Sequence, residues 1–182
     1  MKNETKKTNA KKLPKKATRS HLENAALYYV GRFSSTAESL RQVLTRRVHK
    51  SAHYHDTDLN EGMAWVADIV ERFQRSRLID DRAFAEARAR TLHQRGNSRK
   101  VIRMKLMAKG VSSEIIDHVL QSLDQDGDSE RQAAHRLAKR RRLGPYGDPA
   151  RRGELREKHL AALARAGFSY DIALGTIDAE RD

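Results

Sequence analysis

The decapeptide LMAKGVSSEI at residues 106–115 returns as LARAGFSYDI at residues 163–172, with every landmark at the same internal spacing. Each version has a leucine four positions before a glycine, and a bulky apolar residue directly after that glycine. A weaker version runs over residues 40–48, where Leu44 replaces the leucine and Val48 replaces the glycine. Recurrence at fixed spacing indicates a repeated supersecondary structure. The sequence therefore predicts three copies of one repeat.

The glycine in this motif predicts a helix end. At Gly110 the backbone can take the left-handed conformation that terminates a helix. Val111 can then pack against the helix that has just ended, and Ser112 can cap the next helix. The same reasoning places helix boundaries at the other glycines. These are Gly31, Gly96, the run Gly144 to Pro149, and Gly167, which precedes Phe168.

From Leu22 onward no sustained period-two alternation occurs, so we predict an all-α fold with almost no strand. Each repeat comprises three helices: an Ala-rich opener, a basic second helix that ends at the glycine, and a third helix begun by Ser or Asp. The predicted boundaries are listed in chain order. Residues 1–20 form a disordered basic tail, 21–77 the first repeat with a His-rich insertion, 78–125 the second repeat, and 126–182 the third.

Two helix starts carry capping signals. The spacing of Ser35 and Glu38 is that of a capping box, in which the hydroxyl reaches forward and the carboxylate reaches back to orphan amides. Asp80 is predicted to be an N-cap, with Asp81 in the first turn, where the helix dipole favours an anion. Ile79 and Phe84 then hold the positions of a hydrophobic staple. We interpret the two adjacent acids as structural rather than catalytic.

The composition bounds the function. The chain has 37 Lys and Arg against 24 Asp and Glu, for a formal net charge of +13, and its N-terminal 19 residues supply about half of this excess. A polybasic tail can scan nucleic acid or only aid solubility. The absence of cysteine excludes disulfides and thiolate metal sites, and it favours the cytoplasm. We expect neither a membrane-spanning helix, because no apolar run approaches about 20 residues, nor a signal peptide, because the basic start lacks an apolar stretch and a small-residue cleavage site.

One stretch carries potential metal ligands: His49, His53, His55, Asp56 and Asp58. Imidazole and carboxylate together can hold zinc or nickel. We favour a solvated loop instead, because the tract falls where the first repeat has received an insertion. No phosphate-binding glycine loop, dinucleotide fingerprint or supported catalytic triad occurs, so we expect neither a cofactor nor an enzyme.

The basic residues beyond the tail are arranged in strips. Pairs four positions apart share one helix face, and few aromatic residues lie among them, so phosphate or an acidic protein surface is a better target than stacked bases. An ordinary solvated helix face is the alternative. The candidate contacts are Arg99, Lys100, Arg103, Lys105 and Lys109 in the second repeat, and Arg136, Lys139, Arg140, Arg141 and Arg142 in the third.

Large apolar residues at helical spacing predict the core of the first repeat. Trp65, Val66, Ile69, Val70 and Phe73 are expected to form the inner face of its third helix. Of the adjacent Tyr28 and Tyr29, one is expected to point inward and one to lie at the rim.

The motifs can be followed along residues 22–180. They are Ala26-Leu27, Ser35, Glu38, Leu40 and Leu44, then Leu78-Ile79-Asp80-Asp81 with Phe84-Ala85, then Gly96, Ile102, Leu106, Lys109, Gly110 and Val111, and finally Leu163, Gly167 and Phe168. In this order they resemble the RecX family of regulatory proteins. The departures are Val48, the His-rich insertion over residues 49–63, and the long basic leader.

The resemblance implies an elongated, curved array of three-helix repeats without catalytic residues. It also implies a monomeric regulator of DNA repair, homologous recombination and the SOS response, which binds the RecA filament and touches single- or double-stranded DNA directly or through it. Such a regulator limits filament growth and suppresses the ATPase, strand-exchange and coprotease activities. Two other classes stay open: a stand-alone DNA-binding protein of the helix-turn-helix type, and a basic accessory protein of RNA assemblies.

Overall fold

The computed structural model describes residues 13–125 and 130–180, and within these ranges it contains α-helices and two short 3-10 helices but no strand. The α-helices are α1 Arg19–Arg32, α2 Ala37–Tyr54, α3 Leu59–Arg75, α4 Asp81–Gln94, α5 Arg99–Met107, α6 Ser113–Gln125, α7 Glu130–Arg141, α8 Arg152–Arg165 and α9 Tyr170–Ile177. The 3-10 helices are Gly144–Tyr146 and Pro149–Arg151. The all-α prediction is confirmed, and the threefold repetition stays a prediction.

The chain divides into two compact units. Of the described residues, the first unit comprises those up to Phe33 together with Leu40–Leu78, and the second comprises Ser34–Ser39 together with those from Ile79 onward. The first unit therefore contains all of α1 and α3 and most of α2. The second unit contains the first residues of α2 and all of α4 to α9.

The core of the first unit is a thin layer of aliphatic side chains. Leu22 and Ala26 of α1 are fully buried, as are Leu40, Leu44 and Val48 of α2. From α3 the buried apolar side chains are Val66, Ile69, Val70 and Phe73, as the helical spacing predicts, while Trp65 is only half-buried. Tyr28 is exposed, and Tyr29 is half-buried with its ring centroid 5.4 Å from that of Phe33.

The solvated loop expected over the His-rich tract is wrong for most of its length. Helix α2 continues through His49 and His53 to Tyr54, and only residues 55–58 separate it from α3. Position 48 carries no glycine, so nothing there favours a left-handed helix end. Val48 is instead fully buried in the helix and lies against Gly62 of α3, where a Cβ would come within 2.5 Å of a Val48 methyl.

The expected disorder of residues 1–20 is also wrong for its last part. Helix α1 begins at Arg19, capped by the hydroxyl of Thr18, and the preceding Ala17 is only 2% exposed. The Ala17 amide donates to the buried Ser51 hydroxyl over 2.7 Å, which ties this stretch to α2. The remainder of the tail, residues 1–12, lies outside the described residues.

The second unit contains two apolar clusters, each built from three consecutive α-helices. The cluster of α4, α5 and α6 contains Ala85, Ala89, Leu92, Ile102, Leu106, Val111, Ile116, Val119, Leu120 and Leu123, with Phe84 packed against it. The cluster of α7, α8 and α9 contains Ala133, Ala134, Leu137, Ala138, Leu143, Leu160, Leu163, Phe168, Ala173 and Ile177.

The glycine turns of the duplicated motif are confirmed. Gly110 has φ +75° and Gly167 has φ +86°, both in the left-handed region, and Gly96 and Gly144 also have positive φ. After each motif glycine the chain turns back in the same way, because the amides of Val111 and Phe168 donate to the carbonyls of Leu106 and Leu163, each over 3.2 Å. Gly31 differs: it is helical, and α1 ends after it without a left-handed residue.

Two of the capping predictions are confirmed and one is wrong. Asp80 caps α4 as expected, since its Oδ1 accepts from the Ala83 amide over 2.9 Å, and Ser112 accepts from the Ile115 amide over 3.4 Å. The capping box led by Ser35 is wrong: Thr36 caps α2, with its hydroxyl 3.1 Å from the Ser39 amide. The Ser35 hydroxyl oxygen is buried and finds no hydrogen-bond partner within the described ranges.

Candidate binding surface of the second unit

The start of α2 and the start of α5 make the same pair of hydrogen bonds. The Thr36 hydroxyl accepts from the Ser39 amide and donates to the carbonyl oxygen of Lys109 over 2.5 Å. The Ser98 hydroxyl accepts from the Val101 amide over 3.3 Å and donates to the carbonyl oxygen of Ala166 over 2.6 Å. Lys109 and Ala166 each directly precede a motif glycine, so the two contacts are equivalent.

A carboxylate completes each contact. Asp81, the first residue of α4, accepts from the Ala37 amide over 2.8 Å through Oδ1. Glu130, the first residue of α7, accepts from the Arg99 amide over 3.1 Å through Oε1. Ala37 and Arg99 are the first residues of α2 and α5. An anion near these amides is favourable because the amides at a helix start carry partial positive charge.

The motif glycines permit the close approach that these contacts require. A Cβ added at Gly167 would lie 2.6 Å from the Ser98 hydroxyl and 3.4 Å from Cβ of Lys100, and a Cβ at Gly110 would clash with the side chain of Glu38. We call each set a joint: an N-cap hydroxyl, a carboxylate and a motif glycine. The joints were not predicted from the sequence, although the recurring glycine is a signal for them.

Two of the predicted contact residues have a structural partner at the end of α4. Arg136 approaches the His93 carbonyl at 3.5 Å, and Arg140 donates to the Arg95 carbonyl. Carbonyls at a helix C-terminus lack helical partners and carry partial negative charge, so guanidinium groups there are stabilising. Arg136 and Arg140 thus help to hold α7 against α4.

Two candidates of α5 are also engaged. Arg103 forms an ion pair with Asp117 of α6, and the Lys105 ammonium donates to the Asn97 side-chain oxygen over 2.9 Å. Both candidates stay partly open to solvent, with 41% of the Arg103 side chain exposed. An anionic partner would have to compete with Asp117 for Arg103.

Of the remaining candidates, Arg99 is half-buried and has a partner, whereas the other five point into solvent. The exposed side chains without a hydrogen bond or ion pair to any described residue are Lys100, Lys109, Lys139, Arg141 and Arg142. Arg142 has φ +55° at the end of α7, where it stands in the place of a C-terminal glycine. The structure thus divides the candidates into an α5 group at residues 99–109 and an α7 group at residues 136–142.

Potential metal ligands of the His-rich tract have other partners. The His55 Nε2 donates to the Pro14 carbonyl over 2.5 Å, and Asp58 caps α3 by accepting from the Glu61 amide over 2.9 Å. Across residues 13–125 and 130–180 no three His, Asp or Glu side chains gather closely enough to hold a metal ion. In the same residues, no helix combines the length and the apolar character needed to cross a membrane.

The fold and the charge define the class as a basic, all-α protein assembled from short three-helix groups. The family model described as RecX, second three-helix domain, matches residues 80–120, which cover α4, α5 and most of α6. The chain is 41% identical to Regulatory protein RecX of Myxococcus xanthus over 174 residues, 95% of this chain and 92% of the relative. The chain therefore belongs to the RecX family of regulatory proteins.

Further relatives carry the same name. Regulatory protein RecX of Agrobacterium fabrum is 28% identical over 82% of this chain and 77% of its own length. Regulatory protein RecX of Halorhodospira halophila is 31% identical over 82% of both chains. No solved structure matches the chain.

Proposed function

We propose that this protein binds the RecA nucleoprotein filament and inhibits its growth and activities in DNA repair and homologous recombination. The observation that carries the proposal is the 41% identity to a Regulatory protein RecX over 95% of the chain. The proposed mode of action is binding rather than catalysis, by a monomer in the cytoplasm.

The joints support a role in binding a polymer. Within the second unit, the joint of Ser98, Glu130 and Gly167 holds the start of α5 against the turn after α8 through backbone and hydroxyl hydrogen bonds. Its two three-helix groups are therefore held together by more than apolar contact. We propose that the repeat occurs three times, over residues 21–77, 78–125 and 126–182. Contacts distributed over several rigid repeats can engage successive subunits of a filament, and their combined strength exceeds that of each alone.

The proposed contacts are the α5 and α7 groups, with most weight on the exposed side chains that lack a partner. Lys139, Arg141 and Arg142 can approach phosphate or an acidic protein surface without first breaking a hydrogen bond or ion pair to another described residue. Arg103, Arg136 and Arg140 would have to exchange their present partners. Binding through such cations weakens as salt rises.

Inhibition of DNA-dependent ATP hydrolysis by RecA tests the proposal. The wild-type chain, added to filaments formed on single-stranded DNA, should lower the rate of ATP hydrolysis. The variant Lys139→Glu/Arg141→Glu should inhibit less. Arg88→Glu/Arg131→Glu provides a control with the same charge change on exposed residues of α4 and α7 outside both groups. Equal inhibition by all three proteins would refute the placement of the contacts, and no inhibition by the wild type would refute the function.

A stand-alone DNA-binding protein of the helix-turn-helix type is the competing function. Short helices joined by a tight glycine turn, as between α5 and α6, suit that role. Sequence-selective binding of duplex DNA without RecA, together with unchanged ATP hydrolysis, would favour it over filament regulation.

A further inference from the structure

The first unit contains a basic cavity that the proposed function does not use. It encloses about 370 Å³ and lies between the stretch before α1, α1 itself and α2. Its lining residues are Pro14, Lys15, His21, Arg47 and Lys50. No acidic side chain is among them, and none belongs to the α5 or α7 group.

Hydrogen bonds hold the wall of this cavity in place. Pro14 is fixed by its carbonyl, which accepts from His55 Nε2, and Ala17 is fixed by its amide, which donates to the buried Ser51 hydroxyl. Lys15 lies between these two anchors. Arg47 and Lys50 are three positions apart on α2, so their side chains share one face. The cationic side chains therefore lie close together because hydrogen bonds hold the backbone in place, and no ligand is needed to assemble them.

The charges of the cavity are uncompensated. Lys15, Arg47 and Lys50 are cations at neutral pH, and among the described residues none of them has an ion pair with a carboxylate. Elsewhere in the same unit cations do find acids: Arg19 binds Asp68 over 2.6 Å, and Arg72 binds Glu23. Clustered like charges repel, so an anion that enters the cavity relieves this repulsion.

We propose that the cavity binds a phosphate group of a nucleic-acid backbone. Guanidinium and ammonium groups are the side chains best suited to phosphate oxygens, and they donate short, charge-assisted hydrogen bonds. The volume lies at the low end of the range for ligand sites, about 300–1,000 Å³, which suits one phosphate with part of its sugar. The lining offers no aromatic ring besides the His21 imidazole, so bases are not stacked and the site is indifferent to sequence.

His21 completes the cavity. Its Nδ1 donates to the Lys16 carbonyl over 3.1 Å, which fixes the proton on that nitrogen and leaves only Nε2 for a ligand. The proposal concerns DNA or RNA alone and does not depend on RecA. Tests without recombinase therefore separate its failure from a failure of the proposed function.

The matched variants Arg47→Gln and Arg46→Gln test the proposal in the full chain. Both side chains are exposed neighbours on α2, and only Arg47 lines the cavity. The affinity for a fluorescent oligothymidine is measured by anisotropy over a range of salt concentrations. Loss of one phosphate contact should weaken binding several-fold at low salt and reduce the slope of log affinity against log salt by about 0.7. Arg46→Gln should behave as the wild type.

Nuclear magnetic resonance with inorganic phosphate or the oligonucleotide as titrant distinguishes the sources of the phosphate. We expect the oligonucleotide to shift the amide signals of Arg47 and Lys50 at lower concentration than inorganic phosphate does. Shifts with inorganic phosphate alone would assign the cavity to a free anion and overturn the proposal. Wild-type affinity of Arg47→Gln, or an equal loss in Arg46→Gln, would overturn it as well.

Discussion

The side-chain hydroxyl of Ser98 joins the start of α5 to the end of α8 by donating a 2.6 Å hydrogen bond to the carbonyl oxygen of Ala166. The same oxygen accepts from the Val101 amide. One atom thereby satisfies a backbone donor at a helix start and a backbone acceptor at a helix end, both of which lack helical partners. Among small side chains, a hydroxyl offers a strong donor and an acceptor on one atom.

Replacement of Ser98 by alanine should therefore cost more than the loss of an ordinary helix cap. Removal of an N-cap costs about 1 kcal/mol, and the half-buried Ala166 carbonyl, left without its hydroxyl donor, adds about 1–2 kcal/mol. We expect Ser98→Ala to lower the free energy of unfolding by about 2–3 kcal/mol, as measured by urea denaturation followed by circular dichroism.

Ser112→Ala is the matched control, because Ser112 caps α6 from an exposed position and makes no second bond in the described structure. Its loss should amount to about 1 kcal/mol. If the two variants were equally stable, the hydrogen bond to Ala166 would contribute nothing.

Gly167→Ala should destabilise the protein by a different route. The residue has φ +86°, which alanine tolerates poorly, and the new methyl group would lie 2.6 Å from the Ser98 hydroxyl. We expect a loss of about 1–3 kcal/mol in the free energy of unfolding. Gly175→Ala is the control: Gly175 is exposed in α9, and its Cβ would meet nothing within 4 Å. That substitution should stabilise by about 0.5–1 kcal/mol, and a matching gain in Gly167→Ala would contradict the strained joint.

His159 should make stability depend on pH. Burial, assisted by the nearby Lys158, lowers the pKa of the His159 imidazole, and its Nδ1 accepts a 3.0 Å hydrogen bond from the Gly144 amide. The unfolded chain binds the proton more readily, so stability should fall as the pH drops below about 6.5. The urea midpoint should therefore be lower at pH 5.5 than at pH 7.5.

His159→Asn keeps an acceptor for the Gly144 amide but does not titrate, so it should flatten this dependence. His49→Asn, a substitution of an exposed histidine on α2, should retain the wild-type slope. An unchanged slope in His159→Asn would show that another group is responsible.

A second pH dependence is expected in strongly acidic solution. The Arg156 guanidinium donates to both carboxylate oxygens of Asp178, over 2.8 and 2.7 Å, and thereby lowers the pKa of that carboxyl. Because the folded carboxyl releases its proton more readily than the unfolded one, stability should fall as the pH drops through the acidic range below about 4. Asp178→Asn should remove this part of the pH profile of the urea midpoint, and its persistence in that variant would assign it elsewhere.

Local signals in the sequence predicted more of this fold than signals that depend on distant residues. Gly110 and Gly167 could be identified because their conformation is set by the glycine itself. Thr36 was missed in favour of Ser35, because the choice between two adjacent hydroxyls depends on the Lys109 carbonyl, 73 positions along the chain. The extension of α2 past His49 was missed because it depends on the burial of Val48.

The candidate contacts show the same difference between local signals and signals that depend on distant residues. Helical spacing correctly placed the basic side chains of positions 99–109 on α5 and in the turn that follows it. It could not show that Arg103 is paired with Asp117 or that Arg140 reaches the end of α4, because both partners lie on other helices. Lys15 was not predicted to be part of a binding site, because nothing in the sequence distinguishes one lysine of the basic tail from its neighbours.

Val48 and Arg151 bear on which helix starts can form a joint. Where the later motifs have a glycine that admits a neighbouring helix start, position 48 holds a branched side chain packed against Gly62. Arg151 precedes α8 without a side-chain cap, whereas Thr36 and Ser98 each supply a hydroxyl. Because Val48 replaces the glycine and Arg151 replaces the hydroxyl, neither position has the parts from which a further joint of this kind could be built.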